Sequence, residues 1–172
     1  MPGPLTLQGP HGALLDWLAL HDVEFETHEH APAETARATA KAEGVDPRTF
    51  TKVVALRVDD ARNVLLALDA TDRVDFRKAR LALDAEVRLL TEPELAELAP
   101  DCELGAMPAV GAMFGLDIVA DHAVREDPDI SCNAGSHRHS VRVDRAAWEH
   151  ASGVRYADLA EDLDARPAWD LA

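Results

Sequence analysis

The feature that most constrains the fold is a pair of apolar stretches in the first half of the chain. They run from Lys52 to Val58 and from Val64 to Ala70, and the polar segment Asp59–Asn63 separates them. Two β-branched and aliphatic runs joined by a short polar connection are typical of adjacent antiparallel strands. The sequence therefore predicts such a pair, and any fold assigned to the chain must contain it.

Shorter apolar segments predict the remaining elements. Further strands are expected at Val23–Thr27, Val87–Leu90, Leu116–Ala120, Asp129–Asn133 and Ser140–Val143. Helices are expected at Ala13–Leu20, Ala33–Ala42, Asp75–Leu83, Thr91–Ala99, Asp144–His150 and Tyr156–Asp164. The helix that starts at Thr91 has a capping box, because Thr91 and Glu94 can each bond the other's backbone amide.

Strand pairs joined by short turns outnumber strand–helix–strand units in this pattern. We therefore expect an α/β fold of α+β character, with a mixed, largely antiparallel sheet of about six to seven short strands that is flanked by four to five of these six helices. The chain has 172 residues, a usual size for one domain. A single compact domain is expected over residues 1–172.

Charge and hydropathy narrow the functional classes. Lys plus Arg total 17 against 32 Asp plus Glu, a formal net charge of -15. Proteins that coat nucleic acid are usually basic, since phosphate neutralisation supplies most of their affinity. An RNA ligand would therefore have to bind through a small part of the surface. No secretory signal is evident, and no apolar run approaches the roughly 20 residues of a membrane-spanning helix. We expect a cytoplasmic protein with no membrane partner.

Several common catalytic motifs are missing. The sequence has no Gly-x-x-x-x-Gly-Lys-Ser/Thr loop, no Gly-x-Gly-x-x-Gly after a strand, no Gly-x-Ser-x-Gly elbow and no His-Glu-x-x-His. ATP use, dinucleotide redox chemistry and serine esterase chemistry therefore lose support. No cofactor is expected.

Three segments carry candidate chemistry. Lysine occurs only at positions 41, 52 and 78, and Lys52 opens an apolar strand, where it either reaches solvent or presents a cation to a carbonyl or phosphate oxygen. The turn Asn133–His137 offers small residues whose backbone amides can form an anion-binding concavity. The loop Gly105–Gly111 has too little charge for an exposed loop, so it should pack against something.

Histidine pairs leave a metal site open as an alternative. The chain has His28-x-His30 and His137-x-His139, and in a strand both rings of a pair face one side. Three further residues could join them around zinc: Cys102, His122 and Cys132. A metal-dependent small-molecule hydrolase is thus one rival function, and a non-catalytic module that binds nucleotide or tRNA is another.

Five segments, taken in order, resemble one family. They are His30–Ala36, Thr51–Leu56, Gly105–Gly111, Leu116–Asp121 and Ile130–Ser136. Together they are similar to the YbaK / prolyl-tRNA-synthetase-associated editing domains, over a core of about residues 21–163. The resemblance implies a compact α/β domain on a mixed, curved sheet.

The resemblance also implies a function. Members of this family hydrolyse the ester between a non-cognate amino acid and the 3' end of tRNA, so the chain is expected to be a trans-acting aminoacyl-tRNA deacylase. Its expected substrate is a small amino acid such as alanine or cysteine on proline tRNA. The implied partner is mischarged tRNA, not DNA, and delivery by an aminoacyl-tRNA synthetase stays open.

The residue roles follow from the motifs of the family. Lys52, Gly105 and Gly135 are the expected catalytic positions: backbone amides near the two glycines would hold the ester carbonyl oxygen, Lys52 would neutralise negative charge, and water would attack. The expected substrate-binding residues are His30, Thr35, Met107, Pro108, Ala134, Ser136 and His137. The candidate phosphate contacts are Arg77, Arg138 and Arg142.

The chain departs from the family pattern at two places. Many relatives have a second proline in the glycine-to-proline loop, where this chain has Ala109. An aspartate or second glycine that follows the small-residue turn in some relatives is replaced by His137–His139. The amino-acid preference of those relatives is therefore not transferred.

Overall fold

Eight strands and five α-helices make up the part of the chain that the computed structural model describes, which is residues 9–33, 35–44 and 49–162. The helices are Gly12–Leu20 (α1), Ala36–Glu43 (α2), Phe76–Leu83 (α3), Glu92–Leu98 (α4) and Arg145–Ser152 (α5). The strands are Phe25–Glu29 (β1), Thr51–Val58 (β2), Arg62–Asp69 (β3), Val87–Leu89 (β4), Asp117–Asp121 (β5), Asp129–Ser136 (β6), His139–Asp144 (β7) and Arg155–Ala157 (β8). Two short 3-10 helices follow the glycine loop and β5, at Gly111–Phe114 and His122–Glu126.

The expected antiparallel pair is the centre of a five-stranded sheet with the order β4-β2-β3-β5-β8. Thr51 lies opposite Asp69 and Val58 opposite Arg62, with β5 and β8 added in parallel. The turn between β2 and β3 uses Asp59 and Asp60 at positive φ (52° and 51°), a conformation that aspartate tolerates better than most residues.

A second sheet has three strands in the order β1-β7-β6 and is entirely antiparallel. One parallel bridge joins the two sheets, between Phe50 just before β2 and Ser131 in β6. This bridge places the start of β2 beside β6.

Apolar side chains form two main cores on opposite faces of the five-stranded sheet. The large core contains Leu65, Ala67, Ile130, Cys132 and Val141 together with Trp148 of α5. The α3 core packs Ala79 and Leu83 of α3 against Leu56, Leu66 and Leu68. Each of these three sheet leucines is 0% exposed, which stabilises the fold by about 1.5–3 kcal/mol per side chain.

The expected fold class is confirmed: the chain is a mixed α/β protein with five α-helices in its described residues. The capping box is also present, since Thr91 Oγ1 accepts from the Glu94 amide and the Glu94 carboxylate from the Thr91 amide. The strands, however, divide between two sheets instead of forming one. No helix in the described ranges combines the length and apolar character needed to cross a membrane.

The helix expected at Tyr156–Asp164 is wrong over its described part, up to Asp162. Arg155–Ala157 instead pairs with β5 as the parallel strand β8. Just after it, Asp121 Oδ1 accepts from the amides of Leu159 and Ala160 at 2.8 and 2.9 Å. A tertiary contact therefore holds these two amides outside a helix, and residues 163 and 164 lie outside the described residues.

Candidate functional site

Strand β6 runs through the candidate site, and its two faces lie in different environments. Ile130, Cys132 and Ala134 point into the large core. Side chains alternate along a strand, so Ser131 and Asn133 point to the other face, where both are buried.

Lys52 shares that second face. Phe50 and Ser131 are partners in a parallel bridge and so project to the same side, and the next residues on that side are Lys52 in β2 and Asn133 in β6. Consistently, Val53 packs on the large core with Ile130 and Cys132, on the opposite side. The term Lys52 face is used below for the side that carries Phe50, Lys52, Ser131 and Asn133.

Helix α2 covers one end of the Lys52 face. Phe50 is 0% exposed and forms a small cluster with Ala40 of α2 and with Ala70. Thr35 starts this helix as its N-cap, because its Oγ1 accepts from the Ala38 amide at 3.0 Å. Thr35 is exposed, so its described contact stabilises the helix end.

The ammonium group of Lys52 donates to the backbone carbonyl of Asp72, and the side chain is half-buried. An ammonium has three N–H donors. The Asp72 contact thus fixes the direction of the side chain.

The two glycine bends form one hydrogen-bonded unit. The Glu103 amide donates to the Gly135 carbonyl at 2.8 Å, and the Gly135 amide donates to the Ala106 carbonyl at 3.0 Å. Gly105 and Gly135 have φ of 83° and 93°, which favour glycine. The Gly135 amide itself is thus used by Ala106, and the expectation that amides near Gly135 hold the ester oxygen stays a prediction. The Gly105 amide bonds no described residue and Gly105 is exposed.

His137 joins this unit to the segment before α2. Its ring nitrogens lie 3.1 Å (Nδ1) from the Ala33 carbonyl oxygen and 2.7 Å (Nε2) from that of Leu104. A carbonyl only accepts, so both contacts are hydrogen bonds when both ring nitrogens carry protons. The His137 amide donates to the Glu103 carboxylate at 3.1 Å.

Backbone bonds hold His30 near the same turn. The His30 amide donates to the Arg138 carbonyl at 2.9 Å, and the Ala33 amide donates to the His137 carbonyl at 3.0 Å. The structure therefore brings together the segment 30–33, the glycine loop and the turn after β6.

Ser136 pairs with His139 and not with its neighbour His137. Ser136 Oγ lies 2.6 Å from His139 Nδ1 and accepts from the Arg138 amide at 3.2 Å. The two side chains are 1% and 4% exposed. A pair so deeply buried and bonded to its own turn stabilises the bend, and the expected contact of Ser136 with substrate stays a prediction.

Three other expected substrate-binding residues, Met107, Pro108 and Ala134, are buried. Met107 and Ala134 pack in the large core, and Met107 also lines an apolar cavity of about 280 Å³ between β2, α4 and the glycine loop. These residues fix the backbone of the loop and the turn.

Ala109, the departure from the family pattern, makes two bonds. Its amide donates to Cys132 Sγ at 3.5 Å, and its carbonyl accepts from Trp148 Nε1 at 2.7 Å. Proline has no N–H and could not make the first bond. The two bonds of Ala109 with Cys132 and Trp148 thus hold the loop after Pro108 against the core.

The two histidine pairs do not assemble a site. In the β1–β7 pairing His28 lies across from Ser140 and Glu29 across from His139, so His28 and His139 project to opposite faces. Within the described ranges no three His, Cys, Asp or Glu residues are arranged to hold a metal ion. Burial raises the pKa of the Cys102 thiol to about 11.

The three expected phosphate contacts differ. Arg142 is paired with Asp129, at 2.7 Å between Nη2 and Oδ2, and Arg77 is exposed on α3. Arg138 is exposed in the turn beside His137. It is the one of the three that lies at the candidate site.

Sequence reasoning missed Asn133 and Glu103. Asn133 is 6% exposed on the Lys52 face, and Glu103 bonds both the Gly135 carbonyl and the His137 amide. Asn133 begins the turn that was singled out for its backbone amides, but no motif points to its side chain or to Glu103, and only the folded structure shows where these side chains lie.

The model of the aminoacyl-tRNA editing domain family matches residues 30–151. The chain belongs to this family of YbaK-type editing domains, which confirms the resemblance found in the sequence. The matched range contains Lys52, both glycine bends and the His137 contacts.

Two curated relatives are proline–tRNA ligases. The chain is 32% identical over 145 residues to that of Geobacillus sp. (strain WCH70), covering 82% of this chain and 25% of the relative. It is 30% identical over 129 residues to that of Geobacillus thermodenitrificans (strain NG80-2), covering 73% and 22%. The chain therefore spans a quarter or less of the length of these ligases.

Solved structures share the fold. One described as a candidate trans-editing enzyme for prolyl tRNA synthetase has a TM-score of 0.77 at 22% identity, covering 91% of this chain and all of that one. The hypothetical protein APE2540 has a TM-score of 0.79 at 16% identity, covering 87% and 99%. At such identities the likeness establishes the architecture alone.

Proposed function

We propose that the protein is an aminoacyl-tRNA deacylase that acts in trans in the cytoplasm, removing a small amino acid such as alanine or cysteine from proline tRNA. Family membership supports the reaction class, and the proline–tRNA ligase relatives support the choice of tRNA. The structural observation that carries the proposal is the position of Lys52 on the strand bridged to β6, which ends in the Gly135–Ala106 unit.

The chemistry needs little from the protein. An aminoacyl ester is already activated, so orienting a water molecule and stabilising the developing oxyanion are sufficient. In our proposal the exposed Gly105 amide and the Lys52 ammonium are the donors to that oxygen. The Asp72 carbonyl holds Lys52 in place, and His137 holds the loop that contains Gly105.

Binding of tRNA is local in this proposal. The formal net charge of -15 opposes broad contact with phosphates. Only the terminal adenosine and the aminoacyl group need to enter the site, with Arg138 as the nearest candidate phosphate contact. Delivery of the substrate by an aminoacyl-tRNA synthetase stays open, and deacylation assays with and without a synthetase decide whether it is needed.

The test is a deacylation panel of alanine, cysteine and serine on proline and alanine tRNAs, with wild type, Lys52→Ala and Lys41→Ala. Lys41 is exposed in the last turn of α2 and serves as the matched control. Loss of one oxyanion donor typically lowers the rate about 100- to 1000-fold, so Lys52→Ala should lose activity and Lys41→Ala should keep it. Wild-type activity in Lys52→Ala would contradict the role of Lys52, and tight binding of mischarged tRNA without release of amino acid would favour a non-catalytic module.

A further inference from the structure

Asn133 is a buried polar residue on the Lys52 face to which the deacylase chemistry above gives no role. It is 6% exposed, and no described residue donates to its Oδ1, which is itself buried. Leaving a buried acceptor without a partner is unfavourable for the folded state. Asn133 therefore has an acceptor that the described fold does not use, and it lies on the same face as Lys52.

The position of Asn133 is set by an irregularity in β6. The pairing of β6 with β7 is regular from Asp129 to Asn133, and the register then shifts before Ser136. Asn133 is therefore the last regular residue before the glycine bend. Its side chain points away from the large core, to the side on which Lys52 projects from the neighbouring strand.

The substrate class supplies the missing donor. An aminoacyl ester has an α-ammonium group on the carbon next to the ester carbonyl, and an ammonium only donates. Lys52 and the Gly105 amide are also donors, so they suit the carbonyl oxygen and cannot hold the ammonium. β2 and β6 are bridged at Phe50 and Ser131, two residues before Lys52 and Asn133, and bridged strands lie about 4.8 Å apart. We therefore place one amino acid within reach of both side chains.

We propose that Oδ1 of Asn133 accepts a hydrogen bond from the α-ammonium of the substrate and makes the enzyme select esters with a free amine. This inference rests on the proposed deacylase function. Lys52 then contacts the carbonyl side of the amino acid and Asn133 the amine side. N-acylated aminoacyl-tRNA is rejected, since its amide lacks the charge and adds bulk.

The experiment compares alanyl-tRNA with N-acetyl-alanyl-tRNA, both on proline tRNA, and measures kcat/KM for each. Each value is divided by the uncatalysed rate of the same ester, because the α-ammonium itself activates the bond. The proteins are wild type, Asn133→Ala, Asn133→Asp and Asn63→Ala. Asparagine occurs only at positions 63 and 133, and Asn63 also has an unpartnered buried Oδ1 but lies on β3 opposite Arg57, so it is the matched control.

Wild type and Asn63→Ala should prefer the free amine by about 10- to 100-fold, as expected for a hydrogen bond to a charged group. Asn133→Ala should lose that preference by slowing on alanyl-tRNA alone, and Asn133→Asp, which keeps an acceptor, should restore it. Equal use of both esters by wild type would overturn the inference without any variant, as would an unchanged preference in folded Asn133→Ala. Failure of wild type on every aminoacyl-tRNA would instead refute the deacylase function.

Discussion

Nε2 of His137 lies 2.7 Å from the carbonyl oxygen of Leu104, and the opposite ring nitrogen lies 3.1 Å from that of Ala33. One imidazole therefore ties the glycine loop to the segment before α2. Both segments contain residues that the family resemblance assigns to substrate binding.

Replacing His137 by alanine should loosen both the glycine loop and the segment before α2. We expect a lower melting temperature, since the ring donates at least one hydrogen bond worth about 0.5–1.5 kcal/mol, and a rise in KM for mischarged tRNA because the loop is no longer held. Thermal unfolding and steady-state deacylation measure the two effects. His150→Ala, exposed at the end of α5, is the control, and unchanged kinetics in a folded His137→Ala protein would contradict the role of the ring.

Gly105→Ala tests the backbone of the loop. Gly105 has φ of 83°, and an added Cβ would meet the His137 ring at an ordinary contact distance of 3.5 Å. The cost is therefore conformational, about 1–2 kcal/mol, and any relaxation of φ turns the Gly105 amide away from the substrate.

Gly153→Ala is the comparison for that change. Gly153 ends α5 with φ of 65° and has open space around it, so it should lose similar stability in urea unfolding. Deacylation should fall by about 10-fold or more in Gly105→Ala only. Equal activity in the two variants would exclude the Gly105 amide as an oxyanion donor.

Trp148→Phe should show how far the core holds the loop. Trp148 is 1% exposed, and its Nε1 donates to the Ala109 carbonyl at 2.7 Å. Phenylalanine keeps the apolar packing but leaves that carbonyl without its donor, at a cost of about 1–3 kcal/mol in the free energy of unfolding. Trp17→Phe, at a half-buried tryptophan stacked on His21, should cost less, and the reverse order in chemical denaturation would contradict this account.

The elements that the sequence predicts well are those with local signals. The β2–β3 pair follows from apolar runs and a polar turn, and the capping box of α4 follows from Thr91 and Glu94. Strand β8 could not be predicted, because its formation depends on pairing with β5 and on the Asp121 carboxylate. The same holds at the site, where motifs indicated Lys52 and the glycines. Only the folded structure shows that the Gly135 amide is bonded to the Ala106 carbonyl and that Asn133 shares a face with Lys52.

A buried carboxyl group should make stability depend on pH. The pKa of Asp69 is raised from its ordinary value of 3.8 to about 9. Burial is the largest cause, and a hydrogen bond with Asp127 and the charges of Asp127, Asp72 and Asp121 also contribute. The folded protein therefore keeps a proton on Asp69 that the unfolded chain releases above about pH 4.

The stabilisation from that proton is complete below the unfolded pKa and is lost as the pH rises through the folded one. The melting temperature should thus fall between about pH 4 and pH 9. Asp69→Asn, which stays neutral and can still donate to Asp127, should be more stable than wild type near neutral pH and should have a flatter pH profile. Asp117→Asn, at an exposed position on β5, should keep the wild-type slope, and parallel profiles for wild type and Asp69→Asn would show that Asp69 ionises in the folded protein as it does in the unfolded chain.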